Sequence, residues 1–292
     1  MGVSYRVQWR ATGSAWFVLL MLFMVPSGSF AVEPLVFGVH PYRPHNELRQ
    51  MFQPLAHFLG RQIGLPVEVR IGESYRSHQE AIMRGSVDFA YIGPSLYVQL
   101  IRQKMATSVL ARLEVNGKPT FTGKIIARES GGVHKISDLK QCLFAFGSPS
   151  STMSHLVPRQ MLFEAGIDLD DLEGHRFYNN HNNVALAVLA GDADAGAVKE
   201  AVYEKYRDQG IIAIGTTAEI SEHLFIAPAG SDPELTRRLK QALLSLNNGN
   251  PQTAAVLRPI KKTATALVEA KAEDYRDLRD ILDALRERGV QW

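Results

Sequence analysis

Short apolar runs alternate with longer segments in which apolar residues recur every three or four positions. The first such pair is the run 35–39 and the segment 45–63, which predict a buried strand and an amphipathic helix. Pro54 falls inside that helix and predicts a kink. The same alternation predicts strands at 35–39, 67–71, 88–92, 121–127, 142–146, 193–198, 211–214 and 224–227, and helices at 45–63, 74–84, 94–101, 152–164, 181–190, 199–206, 233–246, 253–257 and 270–288.

Strands that alternate with helices indicate an α/β architecture with mostly parallel sheets. The polar, glycine-rich segment 128–134 separates two such series and predicts a connection between two lobes. The stretches 88–95 and 144–150 share one plan, in which an apolar strand runs through Gly, Pro and Ser into a helix. Because ligands bind at the carboxyl ends of strands in open α/β sheets, these two turns predict the two sides of a cleft.

The first 31 residues have the pattern of an export signal. Arg6 and Arg10 precede an apolar run over 15–25, and 29–31 reads Ser-Phe-Ala, with small residues at the positions that a signal peptidase recognises. The run is shorter than the ~20 residues of a membrane span, and an uncleaved anchor is the alternative. We expect cleavage after Ala31 and a periplasmic mature protein.

Charge and cysteine content exclude several classes of function. The sequence has 32 Lys and Arg against 30 Asp and Glu, and removal of 1–31 takes away two arginines and no acid, which leaves 30 of each. A neutral chain argues against nucleic acid as a partner. Cys142 is the single cysteine, so an intramolecular disulfide is impossible, and its apolar surroundings predict a buried, inert thiol.

The segment 147–152 reads Gly-Ser-Pro-Ser-Ser-Thr and follows the apolar run 143–146. Helix starts leave backbone N–H groups unpaired and carry the positive end of the helix dipole. The hydroxyls add further donors, so the turn predicts a site for a phosphate-like oxyanion. The alternative is an ordinary N-cap, because Ser and Thr cap helices without any ligand.

Several motifs occur in a characteristic order. They are Asp88-x-x-Tyr91-x-Gly93-Pro94, Ser148-Pro149-Ser150-Ser151-Thr152, Leu156-Val157-Pro158, His181-x-x-Val184-x-Leu186-Ala187-Val188 and Asp192-Ala193-Asp194-Ala195. Over 35–288 the chain resembles the phosphate/phosphite/phosphonate-type periplasmic substrate-binding proteins of ABC transporters. The resemblance implies a two-lobed type II periplasmic binding fold with two crossing strands and a cleft between the lobes. Lobe 1 would span 35–128 plus 222–292, and lobe 2 would span 129–221.

The resemblance and the strand-end positions together assign the ligand contacts. Those that the resemblance implies are Ser150, Ser151, Thr152, Tyr91 and His181. Position alone adds His155, one turn after Thr152, and Tyr42, in the loop that follows the first strand. Each has a structural alternative: His181 as a helix start, Tyr91 as a core aromatic, and His155 and Tyr42 as exposed residues.

Two departures from the family pattern leave the ligand open. The turn of the family usually continues Ser-Thr-Ser, whereas Met153 follows Thr152 here. Family members that bind aminoalkyl phosphonates hold the amine with acidic residues after the strand corresponding to 193–198, where this chain reads Val-Lys-Glu-Ala. An aminophosphonate and a smaller oxyanion are therefore both possible ligands.

The sequence predicts an exported, monomeric solute-binding protein. It would capture phosphonate, phosphite or phosphate between its lobes and deliver it to an inner-membrane ABC permease, without catalytic residues, cofactor or metal. One alternative is a ligand-sensing module for a membrane sensor kinase. Another is an exported phosphoester-processing enzyme on the same fold, which would need a nucleophile with a base or a set of metal ligands; neither is evident in the sequence.

Overall fold

The computed structural model describes residues 1–6, 8, 33–105 and 107–291. The export segment predicted over 1–31 lies, apart from 1–6 and 8, outside the described residues and stays a prediction. In the part of the chain that is described, no helix combines the length and the apolar character needed to cross a bilayer.

The elements follow the predicted alternation of strands and helices. In chain order the strands are β1 Leu35–Val39, β2 Val67–Ile71, β3 Phe89–Ile92, β4 Ser108–Val115, β5 Thr120–Phe121, β6 Gly123–Arg128, β7 Leu143–Phe146, β8 Gly174–Phe177, β9 Ala195–Lys199, β10 Ile211–Thr216, β11 Ile220–Ser221, β12 Leu224–Ala227 and β13 Ala264–Val268. The helices are α1 His45–Ile63, α2 Tyr75–Met83, α3 Pro94–Arg102, α4 Val157–Glu164, α5 His181–Ala190, α6 Glu200–Tyr206, α7 Pro233–Leu244, α8 Thr253–Leu257 and α9 Arg276–Glu287.

Two mixed sheets organise these elements. The first has the strand order β13-β4-β12-β3-β1-β2, and the second has the order β10-β6-β9-β7-β8. β1 runs parallel to β2 and β3, and β7 runs parallel to β8 and β9. The other ladders described in these sheets are antiparallel. The α/β class is confirmed, but the expectation of mostly parallel sheets is wrong, because β12 and β6 each run against both of their neighbours.

Helices cover both faces of each sheet, so each sheet lies between two apolar cores. In the first sheet, Phe37 and Phe52 belong to the core under α1, α7 and α8, while Ile92 and Leu282 belong to the core under α3 and α9. The second sheet is covered by α4 on one face and by α5 and α6 on the other. This layering leaves the carboxyl ends of β1, β3 and β7 free to form a site.

The chain passes from the first sheet to the second and back through a short antiparallel ladder of β5 and β11. It enters the second sheet at β6, which pairs with β9 and β10. The segment 128–134 therefore connects two strands of the same sheet, β6 and β7, and not two lobes. The expected connection through 128–134 is replaced by the β5–β11 crossing.

Candidate functional site

The start of α3 meets the start of the helical segment at Thr152. Pro94 is the first residue of α3, and Thr152 begins a π-helical turn that continues into α4. The backbone N–H of Ser95 donates to Thr152 Oγ1 over 3.1 Å, and Thr152 Oγ1 donates to Ser95 Oγ over 2.9 Å. Ser95 Oγ in turn donates to the carbonyl of Ser150 over 2.7 Å. The two turns that the sequence singles out are hydrogen-bonded to each other.

The segment 147–152, which we call the serine turn, has backbone N–H donors available where it enters the helix. Ser151 is the N-cap, and its Oγ accepts a hydrogen bond from the Ser154 N–H over 3.2 Å. The helical ladder begins with the Leu156 N–H, which donates to the Ser151 carbonyl over 3.0 Å. The N–H groups of Thr152 and Met153 precede this bond and have no acceptor within the helix. They lie at the positive end of the helix dipole, where an anion is stabilised.

A glycine permits the close approach on which this turn depends. A Cβ on Gly147 would lie 2.6 Å from Ser154 Oγ. The Ser154 hydroxyl donates to the carbonyl of Ala197 in β9, and the Gly147 N–H donates to the Ser154 carbonyl over 3.0 Å. Any side chain at Gly147 would push Ser154 away from β9 and displace the turn.

Both helix starts contribute to a small cavity, which we call the inner cavity. Its volume is about 20 Å³, roughly the room that one water molecule occupies in a protein. At this size it has room for about one oxygen atom of a tetrahedral oxyanion, not for the whole anion. The residues that line it are His40, Tyr75, Gly93, Ser95, Leu96, Phe121, Ser151, Thr152, Met153, His181 and His223.

Three imidazoles lie in the wall of the inner cavity, each held by a hydrogen bond at Nδ1. His40 follows β1, and its Nδ1 lies 3.2 Å from a carbonyl oxygen of β3. His181 begins α5, and its Nδ1 accepts from the backbone N–H of Lys199 over 3.1 Å. His223 precedes β12, and its Nδ1 lies 2.7 Å from Glu222 Oε2. These bonds fix the three rings in place.

Burial lowers the pKa of all three imidazoles. Repulsion from the neighbouring His223 lowers the pKa of His40 further. Repulsion from the ammonium of Lys199 does the same for the pKa of His181. For His223, the hydrogen bond with Glu222 opposes burial, yet the pKa stays below its ordinary value. In all three rings the direction of the pKa shift favours the neutral imidazole over the imidazolium.

Glu222 is a buried carboxylate whose two oxygens each have a donor. Burial alone would raise its pKa, but Lys261 and the ring of His223 hold the pKa well below its usual range. Lys261 Nζ lies 2.6 Å from Oε1, and His223 Nδ1 lies 2.7 Å from Oε2. Glu222 is thus ionised and orients the ring of His223.

Two tyrosines lie behind the imidazoles. The ring of Tyr91 stacks on His40 and on His223, with centroid distances of 5.5 and 5.4 Å. Tyr42 packs on His40 at 4.8 Å, and Lys199 Nζ lies 4.3 Å from the centre of the Tyr42 ring. The two phenol rings therefore support the histidine side of the inner cavity.

A larger cavity of about 720 Å³, the outer cavity, adjoins the inner one. Phe121 and His223 line both cavities. Lys199 lies in its wall, and burial followed by the charges of Arg43 and Lys261 lowers the pKa of Lys199 to about 7. A substituent attached to a group in the inner cavity would meet this charged wall.

The structure brings together most of the residues singled out in the sequence. Ser151, Thr152 and His181 line the inner cavity, and Tyr42 and Tyr91 line the outer cavity. Ser150 takes part through its carbonyl oxygen, which accepts from Ser95.

His155 lies elsewhere. Its Nδ1 is 2.6 Å from the Pro149 carbonyl, and its ring packs edge-on against Phe146 and Phe177, with centroids 4.9 and 5.1 Å apart. It lines a separate cavity beside Arg159. The expectation that His155 lines the cleft assumed α-helical spacing. The π-helical turn has more residues per turn, so this position does not return to the face of Thr152.

Sequence reasoning did not assign Ser95, His40, His223 or Tyr75 to the site. Ser95 has a recognisable signal, since it ends the Gly-Pro-Ser turn that repeats the plan of the serine turn. His40 directly follows β1, and its strand-end position could have identified it. His223 and Tyr75 belong to no motif, and the tertiary fold alone brings them to the cavity.

Comparison with known proteins places the chain in a family. A model of the family described as ABC transporter, phosphonate, periplasmic substrate-binding protein matches residues 37–275. The chain belongs to this family. It is therefore a substrate-binding protein of the ABC-transporter type, and the relatives described below are binding proteins rather than enzymes.

Individual relatives are distant in sequence and near in fold. The phosphate-import protein PhnD of Mycolicibacterium smegmatis is 26% identical over 225 residues, which is 71% of this chain and 70% of that protein. The probable ABC transporter phosphite binding protein PhnD1 of Prochlorococcus marinus is 22% identical over 281 residues, 89% of this chain and 93% of that protein. A crystal structure of PhnD1 from Prochlorococcus marinus in complex with methylphosphonate superposes with a TM-score of 0.78 at 21% identity, covering 86% of this chain and 98% of that one. The type II periplasmic binding fold is thereby confirmed.

Proposed function

We propose that this protein captures a small phosphorus oxyanion, namely phosphate, phosphite or a phosphonate, at the inner cavity, which would have to widen by a movement of the lobes to admit it. The observation that carries the proposal is the meeting of two helix starts, at Ser95 and Thr152, on a cavity of about 20 Å³. Helix starts direct N–H groups and positive dipole ends at such a cavity. The family description and the names of the relatives point to phosphorus chemistry.

The donors around the cavity match a tetrahedral anion. The Ser151 hydroxyl and the N–H groups of Thr152 and Met153 lie on the side of the second sheet. Charged ligands gain more from such donors than neutral ones. Met153 occupies a position where the family usually has a serine, and its backbone N–H supplies a donor that does not depend on a side-chain hydroxyl.

We infer that the chain works as a two-lobed module around the β5–β11 crossing. Lobes built on the two sheets would close on the ligand by a hinge motion, and an ABC permease would receive it. We also propose that the segment 1–31 directs export to the periplasm and that the protein is a monomer. Binding requires no bond to be made or broken, so no catalytic residue is assigned.

The proposal is tested by calorimetric titration of the mature protein with phosphate, phosphite, methylphosphonate and aminoethylphosphonate. We expect submillimolar binding or better of at least one of them, with no chemical turnover by phosphorus NMR. Sodium chloride at matched ionic strength is the control and should release no binding heat. Absence of binding by all four compounds at millimolar concentration would overturn the proposal.

A further inference from the structure

The hydrogen-bond partners of the three cavity imidazoles determine where each neutral ring carries its proton. His181 Nδ1 accepts the backbone N–H of Lys199 over 3.1 Å, so this nitrogen has no proton. A neutral imidazole has one N–H and one lone pair, and its proton therefore lies on Nε2. His181 is a donor toward the inner cavity.

His40 and His223 have the opposite arrangement. His40 Nδ1 faces the Tyr91 carbonyl at 3.2 Å, and His223 Nδ1 faces the Glu222 carboxylate at 2.7 Å. Both partners only accept, so both Nδ1 atoms must donate. Each Nε2 then holds a lone pair, and the ring hydrogen bonds described for His40 and His223 among residues 33–105 and 107–291 are all at Nδ1.

The His223 acceptor lies at the meeting point of the helix starts. A Cβ on Gly93 would lie 3.9 Å from His223 Nε2 and 3.9 Å from Thr152 Oγ1. The hydroxyl protons of Thr152 and Ser95 are already used, because Thr152 donates to Ser95 and Ser95 donates to the Ser150 carbonyl, and the hydroxyls of Ser151 and Tyr75 are hydrogen-bonded to each other. We therefore expect the hydrogen for His223 Nε2 to come from the group that occupies the cavity.

We propose that the inner cavity selects an oxyanion that carries an acidic O–H, and that His223 Nε2 accepts this hydrogen. The inference rests on the proposed function and refines its ligand class. His40 Nε2 would be the second acceptor for a ligand with two O–H groups, such as dihydrogen phosphate. Sulfate and sulfonates have no O–H near neutral pH, so their oxygen lone pairs would face the lone pair of His223.

The charged and aromatic groups that face His40, His181 and His223 favour these proton positions. Glu222, Lys261 and Lys199 surround His223. His78 and Lys199 act on His40 from other elements, and Lys199 and Arg43 act on His181. Tyr42, Tyr75 and Tyr91 pack on His40, and Tyr42 and Tyr91 also pack on His223. The cations disfavour an imidazolium, whereas Glu222 at His223 and the Tyr91 carbonyl at His40 favour it without outweighing burial and the cations. The ligand is thus the better source of the proton.

The test compares methylphosphonate with methanesulfonate, which have the same shape, by calorimetry between pH 5.5 and 9. We expect methanesulfonate to bind at least about 100-fold more weakly at pH 7.5, because it leaves a buried acceptor without a donor. The affinity for methylphosphonate should be flat below its second pKa and fall about tenfold per pH unit above it. Equal affinities at pH 7.5, or methylphosphonate binding that does not weaken above that pKa, would overturn the inference.

Two variants separate this role from a structural one. His223→Gln presents an amide that can donate without a proton from the ligand. Glu222→Gln allows the amide of residue 222 to donate to His223 Nδ1, which moves the ring proton to Nε2. In each variant we expect the ratio of methylphosphonate affinity to methanesulfonate affinity to fall at least about tenfold, because methanesulfonate binds more tightly than it does to the wild-type protein.

His57→Gln, on the exposed face of α1, is the matched control and should keep the wild-type ratio. An unchanged ratio in both folded cavity variants would overturn the assignment to His223. If neither compound binds the wild-type protein at any pH, the proposed function fails together with this inference. If both bind alike, the inference alone fails.

Discussion

Thr152 connects the serine turn to α3 through its side chain. Its Oγ1 accepts the Ser95 N–H and donates to Ser95 Oγ, and the residue lines the inner cavity. Thr152→Val keeps the shape and removes both bonds. We expect this variant to weaken oxyanion binding by ~1–3 kcal/mol, measured by calorimetry with the best phosphorus ligand.

Thr236→Val, in α7, is the matched control because it makes the same chemical change at a residue that lines neither the inner nor the outer cavity. It should leave the affinity unchanged. A folded Thr152→Val protein with wild-type affinity would move the site away from the serine turn.

Some site residues could be predicted from local chemistry. Ser151, Thr152 and His181 begin helices after strands or turns, and a helix start has free donors wherever it lies in the fold. His223 could not be found in this way. Its role depends on the Glu222 carboxylate that fixes its tautomer and on Gly93 at the start of α3, a partner more than one hundred residues away in sequence.

The hydroxyls of Ser95 and Thr152 join α3 to the π-helical turn. We therefore expect the effects of substituting these two residues to be coupled. Ser95→Ala removes the acceptor of the Thr152 hydroxyl and the donor to the Ser150 carbonyl. We expect Ser95→Ala and Thr152→Val to be non-additive in ligand affinity, with a coupling free energy of about 0.5–3 kcal/mol. A double-mutant cycle by calorimetry measures it.

The control cycle combines Ser95→Ala with Thr236→Val, which share no contact and should add within about 0.5 kcal/mol. Full additivity of the first pair would mean that the bonds between the two helix starts do not contribute to binding.

The predicted elements miss β4, Ser108–Val115, an eight-residue strand inside the first sheet, and otherwise differ from the observed ones mainly at edges and in short strands. β1 and α1 have the predicted bounds, and α1 continues through Pro54 as one helix. β8 was not predicted, because Gly174–Phe177 is mostly exposed and lacks an apolar run. β13, Ala264–Val268, is short and rich in small residues. Both strands depend on pairing with distant strands rather than on their own sequence pattern.

At the scale of the whole molecule, the pairing of β6 shows what a sequence pattern leaves open. Its apolar residues predict a strand, and yet they do not specify the sheet. β6 pairs with β9 and β10, which follow it by about seventy and eighty residues. Local patterning specifies the faces of a strand, whereas its neighbours follow from the packing of the entire chain.

Buried neutral histidines predict that the protein loses stability in mild acid. Burial lowers the pKa of His78 and of His155 to about 4, and lowers the pKa of His40 and His181 as well. In the unfolded chain these groups titrate near ~6.5. Below that pH the unfolded state binds more protons, so the free energy of unfolding falls as the pH falls. We expect a loss of up to about 3 kcal/mol each for His78 and His155 between pH 7 and 4.

Urea unfolding of the mature protein at pH 7.5, 6.5, 5.5 and 4.5 measures this loss. Above pH ~4.5 the loss of stability comes mainly from histidines and not from carboxylates, because unfolded Asp and Glu titrate near ~4. His155→Asn isolates one group, because its amide N–H can replace Nδ1–H toward the Pro149 carbonyl and does not titrate. This variant should reduce the slope of stability against pH by as much as about 1.4 kcal/mol per pH unit. Wild-type stability that stays constant or rises between pH 6.5 and 4.5 would contradict the neutral state of the buried rings, and with it the acceptor role of His223.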